Sequence, residues 1–159
     1  MAYPIVFNVA KGRAAELHNR VANNDPATAI LVIMAVNSTA ADTVMVDLDT
    51  FAAIESDANT AEVTNTNYGR KILADTDISA VTVNDTSDRV EADIADQTWT
   101  AVATGDAWTH LVFGYIAAPA AAGEAADNAN IVPLTMHEFA VSPNGGDVTA
   151  QVADYYRAS

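Results

Sequence analysis

The chain predicts a mainly β, α+β fold: an antiparallel β-sandwich or barrel with an N-terminal amphipathic helix and room for one further short helix. Short runs rich in Val, Ile and aromatic residues recur between clusters of Gly, Pro, Asn and Asp, as strands between turns require. A sustained helical period is confined to 10–24, and no repeat of solenoid length appears. At 159 residues the chain reads as a single domain, 1–159, with 1–9 a strand or arm, 10–24 a helix and 28–159 mostly β.

Residues 3–9, YPIVFNV, read as a strand whose Pro4 is tolerated near its start or on an edge. The period then changes. Ala10, Ala14, Leu17 and Val21 stand at i, i+4, i+7 and i+11, one apolar stripe of a helix. Glu16 lies within reach of Arg13 or Arg20 on the polar side, and Asn23-Asn24-Asp25-Pro26 ends the helix. Residues 29–36, AILVIMAV, have the branched content and flanking breakers of a buried strand.

Residues 37–47 read as a loop with a Val44-Met45-Val46 island, and 48–58 as a short helix burying Leu48, Phe51 and Ala52. The Asn- and Thr-rich stretch 59–67 predicts an exposed connection, and 70–73 a short strand. Val81 and Val83, then Val90, Ala92 and Ile94, alternate on either side of the turn-like Asn84–Asp88, which predicts a hairpin.

Residues 96–117 hold both tryptophans and the best seed for a core. Trp99, Ala101 and Ala103 alternate with Thr98 and Thr100, while Leu111–Ile116 is nearly continuous apolar sequence. Ala-Thr-Gly-Asp-Ala between them predicts that the two halves form a hairpin. Residues 118–130 read as a mobile loop. In 131–141, IVPLTMHEFAV, Pro133 predicts an edge or a bulge. A turn over 142–147 leads to closing strands at 148–152 and 155–156.

A formal charge of −14 and a run without Lys or Arg between Arg89 and Arg157 argue against nucleic-acid partners. There is no cysteine, hence no disulfide or thiolate metal site. No secretory signal or membrane span is expected. His18, His110 and His137 lack short ligand spacing. The pairs Asp47/Asp49, Asp75/Asp77 and Asp85/Asp88 lack the order of an EF-hand loop, although a weak calcium site in such a turn stays open. No GxSxG elbow or phosphate cradle occurs, and nothing selects a carboxylate pair for glycoside hydrolysis. The residues therefore predict no catalytic site, no cofactor and no resident metal. Trp99, Trp108 and Tyr115 could stack a sugar if exposed, but their apolar strands favour core packing.

Several segments taken together resemble a known group: YPIVFNVAKGRAAELHNRVANNDP with AILVIMAV, then TNYGRKILADTDIS, NDTSDRVEADIADQTWTAV, NIVPLTMHEFAVSPNGGDVTAQV and the closing YYRAS. The pattern resembles small virion structural proteins of tailed bacteriophages, of the capsid decoration (cement) kind. The resemblance implies a non-enzymatic protein on the head exterior, assembled in the host cytoplasm. Its implied partner is the major capsid protein, with a homo-oligomer, guessed as a trimer, as the bound form. A neck or tail accessory protein and a carbohydrate-binding or host-adhesion module are the alternatives. Tyr3, Ile5 and Phe7, followed by Lys11, Arg13 and Arg20, form an apolar and basic patch and are the candidate capsid contacts. Ile5 and Phe7 equally suit the domain's own core.

Overall fold

The computed structural model describes residues 4–158. Its elements are β1 (Ile5–Val6), α1 (Ala14–Ala22), β2 (Ile30–Ser38), α2 (Asp42–Met45), α3 (Phe51–Ser56), β3 (Thr60–Glu62), β4 (Lys71–Leu73), β5 (Thr82–Asn84), β6 (Arg89–Ala92), β7 (Gln97–Trp99), β8 (Trp108–Ile116), β9 (Val132–Val141), β10 (Val148–Ala150) and β11 (Tyr156–Ala158). Short 3-10 turns precede α1 at Asn8–Ala10 and β9 at Ala125–Asp127. The fold is mainly β with antiparallel sheets, as its alternating and branched runs predict.

The main sheet has the order β1-β9-β8-β2-β3, and β4 pairs with the same edge of β2 as β3 does. β2 is buried from Ile30 to Val36 because it is covered on both faces. On one face, Gly114 lies opposite Val32, and a Cβ there would come within 2.6 Å of Phe51 on α3 and of Ile131. One residue earlier, and so on the other face, Phe113 stacks on Tyr155 at 4.7 Å between centroids. That second face also meets α1, whose predicted stripe of Ala10, Ala14, Leu17 and Val21 is wholly buried.

Pro133 sits where the β8–β9 register skips a residue, between the pairs Phe113↔Thr135 and Gly114↔Pro133. A proline without an N–H is tolerated at such a bulge. The hairpin β5–β6 forms in register Val83↔Val90 and gains β11 as its third strand. Contrary to the simple alternation of the sequence, Val83 is 70% exposed, because the hairpin overhangs the core at its turn end.

Four expectations are corrected. Residues 97–116 do not form a hairpin: β8 pairs with β2 and β9, while β7 pairs with β10 in a separate two-stranded sheet. The chain turns at Thr100–Ala101, where Ala101 adopts a positive φ of 51° and its N–H is taken by Asp147 Oδ1 at 2.9 Å. Val102 then bonds backbone to backbone with Gly145 and Gly146, so a distant turn displaces the local one. Residues 59–67 are not simply an exposed connection, since β3 forms there and Thr60, Val63 and Asn65 are buried. Residues 118–130 are tied down: Asp127 accepts the N–H groups of Ala120, Ala121 and Gly123 at 2.8–3.0 Å. Finally, the loop read over 37–47 contains α2, which buries Met45.

Candidate binding surface and the buried polar clusters

The predicted contact residues divide between core and surface. Tyr3 lies outside the described residues. Phe7 is fully buried, its N–H bonded to Leu134 O at 3.1 Å, so its side chain belongs to the protein's own core. Ile5 is half-buried and packs against that core. Gly12, at φ +80°, lets the chain reverse into α1 and leaves Lys11 and Arg13 exposed at the helix entry. Arg20 follows seven residues after Arg13, which returns it to the same side of the helix.

These three are exposed, as is Arg157 near the other end of the chain. Lys11 Nζ donates to Asn8 Oδ1 at 2.6 Å and Arg20 pairs with Glu16 at 3.0 Å, both on the surface, while Arg13 makes no ion pair among the described residues. The other four are engaged. Arg70 is buried, Lys71 donates to Thr98 O and sits over the Trp99 ring, Arg89 pairs with Glu91, and Arg157 pairs with Asp154. Arg20 also borders Tyr115, whose hydroxyl, with Glu16, holds the guanidinium above its ordinary value. The Tyr115 oxygen itself is buried without a partner in hydrogen-bond geometry.

Both indoles are interior. Trp99 and Trp108 are 3% and 1% exposed and meet edge to face at 5.1 Å, so neither presents a stacking platform to a sugar. Their N–H groups are satisfied by Gly69 O at 2.7 Å and Asn65 Oδ1 at 2.9 Å.

The most polar buried cluster surrounds Arg70. Between β3 and β4 the Ala35 carbonyl accepts from Val63 N at 3.2 Å, but its N–H has no strand partner and donates to Tyr68 Oη at 3.0 Å. Tyr68 Oη in turn donates to Glu62 Oε1 at 2.8 Å. Arg70 donates to both Glu62 oxygens at 2.8 and 2.6 Å, to Glu55 at 3.0 Å, to Asn128 Oδ1 at 2.6 Å and to Gly123 O at 3.0 Å. Burial pushes the Glu62 carboxyl up, but Arg70 and Tyr68 outweigh it and hold it below the usual range. Burial and the Glu62 charge push Glu55 up. Every donor has a partner within the chain, so the cluster closes a gap in the sheet and ties α3 and the 118–130 loop to it. Arg70 and Asn65 carry no motif; no signal in the sequence distinguishes them from surface residues.

The histidines do not meet at a metal. Each is held low by burial, and among the described residues no group of three His, Cys, Asp or Glu side chains could hold an ion. An open groove of about 540 Å³ runs along β3, lined by Asn37, Thr39, Asn59, Thr60, Glu62 and Asp106. Within it Thr64 Oγ1 donates to Asp106 Oδ2 at 2.9 Å, and none of its lining residues is aromatic. No described helix is long and apolar enough to cross a membrane. Comparison with protein-family models, curated proteins and solved structures finds no match.

Proposed function

We propose that this protein is a non-enzymatic structural component of a tailed-phage virion, a decoration protein that binds the outside of the head and braces neighbouring capsid subunits. The observation that carries the reading is the segregation of charge. In a chain of −14, three of the four exposed cations, Lys11, Arg13 and Arg20, gather at the entry and along one side of α1, the fourth being Arg157. An acidic body with one cationic corner can orient itself on an acidic or mixed-charge shell while its other faces repel DNA and one another. A packed antiparallel body supports the role of a rigid bridge, and the buried indoles weigh against the carbohydrate-binding alternative.

The proposed partner is the major capsid protein, and the proposed bound form is a symmetric homo-oligomer. The test is to mix purified protein with emptied, expanded heads, sediment them and count bound copies. Hundreds per particle supports a head-lattice role. Six or twelve moves the protein to a neck or tail ring, and no binding rejects the reading.

A further inference from the structure

Two histidines hold one tyrosine, one at its hydroxyl and one at its backbone carbonyl. His18, on α1, has Nε2 at 2.7 Å from Ser79 O and Nδ1 at 2.7 Å from Tyr155 Oη. A carbonyl can only accept, so Nε2 carries the proton and Nδ1 accepts from the tyrosine hydroxyl. His137, on β9, donates from Nε2 to Tyr155 O at 2.8 Å, with Thr135 Oγ1 at 3.2 Å from the same nitrogen. The Tyr155 ring lies flat on Phe113, and its N–H bonds to Ala92 O on β6 at 3.0 Å. The next residue begins β11, which among the described residues pairs only with β6.

We propose that His18, His137 and Tyr155 form an acid-sensitive latch that docks β11, and that protonating the imidazoles releases residues 155–158 while the main sheet stays folded. Both rings are buried, at 0% and 4% exposure, and neutral in the docked form. A proton on His18 Nδ1 removes the acceptor of the tyrosine hydroxyl, and among the described residues no carboxylate bonds to either ring. The charged groups nearby are otherwise engaged. Asp154 is paired with Arg157, Glu91 on β6 with Arg89, and Glu138 lies opposite His110, on the other side of β9 from His137. Glu138 and Asp154 line the same small cavity as His137, yet what acts on its ring is burial and the bond to Tyr155 O. Tyr156 neighbours Tyr155, whose own hydroxyl burial holds above the ordinary tyrosine range.

Burial holds both imidazoles below the ordinary histidine value, His137 down to about 4. Release returns each ring to water, where it protonates near pH 6.5. Linkage then favours the released form by about twentyfold through His137 between pH 7 and pH 5, and further in the same direction through His18. Opening also bares the edge of β6 and the buried side chains of Ala92 and Tyr156.

The test is hydrogen exchange of the intact protein, read peptide by peptide and corrected for intrinsic rates. Between pH 7 and pH 5, peptides covering 155–158 should lose protection by twentyfold or more, while those from β2 and β8 keep theirs. His137→Gln, which retains a donor but cannot charge, should remove about one histidine's share of that dependence. Tyr155→Phe, which keeps the stacked ring, should raise exchange of β11 already at pH 7. Unchanged protection at pH 5, or parallel loss in β2, β8 and β11, overturns the proposal. So does an imidazole NMR titration that places either ring near 6.5 in the folded protein.

Discussion

Tyr68 illustrates how single residues complete this sheet. Its hydroxyl supplies the acceptor that two short strands, β3 and β4, fail to offer Ala35, and passes the hydrogen bond on to Glu62 and Arg70. Arg70→Met leaves two partly buried carboxylates without their cation, and equilibrium urea unfolding should register a loss of about 3 kcal/mol or more. A loss below 1 kcal/mol would mean that the pair behaves as a surface salt bridge. Tyr115 is the opposite case, a buried hydroxyl bordered by the Arg20 guanidinium but without a partner in hydrogen-bond geometry. Tyr115→Phe should be neutral or stabilising by up to about 1 kcal/mol, and a clear destabilisation would reveal a partner. For His137, held near 4 by burial, the unfolded chain binds the extra proton. Its contribution is therefore complete above pH 6.5 and falls away on acidification towards pH 4, by about 3 kcal/mol. A wild-type stability curve flat across that window would contradict the burial.

At the scale of elements, α1 and β2 were legible because their patterns are local. An apolar stripe at helical spacing and eight consecutive apolar residues each define their own environment. The capping of α3 is local too: Thr50 Oγ1 accepts from Ala53 N at 3.1 Å, and Thr50→Ala should cost about 1 kcal/mol in thermal or urea unfolding. What was not legible is pairing at long range. Thr98 and Trp99 have the alternation of a hairpin strand, yet their partners are Thr149 and Val148, chosen by where the 142–147 turn lands. The small-residue stretch 118–130 looks unstructured in sequence because its order comes from one side chain, Asp127, accepting three backbone N–H groups. Burial raises that carboxyl, but those donors and the Arg70 charge outweigh it and keep it ionised. Asp127→Ala should open the loop to proteolysis at residues 118–126 while leaving the sheet's circular dichroism intact; a loop equally resistant would place its order elsewhere.

The whole molecule is an acidic body whose large apolar side chains, Val44 and Val83 excepted, lie buried or partly buried among the described residues. Phe7, both tryptophans and the Arg70 cluster all serve cohesion, which leaves the exterior and its charge pattern as the means of interaction. The candidate site was thus half legible. Lys11, Arg13 and Arg20 are outside, as their place off the apolar stripe implies, whereas Phe7 is inside because β1 pairs with β9 and carries it beneath the sheet. Removing residues 1–9 would take Phe7 from the core, so charge reversal probes the surface more cleanly than deletion.

The most direct measurement compares the wild type with the Lys11→Glu, Arg13→Glu, Arg20→Glu triple variant for occupancy on emptied, expanded heads, after circular dichroism has established that both are folded. The account predicts a fixed saturating number of wild-type copies and at least a tenfold weaker association of the variant, with the difference shrinking as salt is raised. Equal occupancy by the folded variant, or a wild type that does not bind heads, would contradict it.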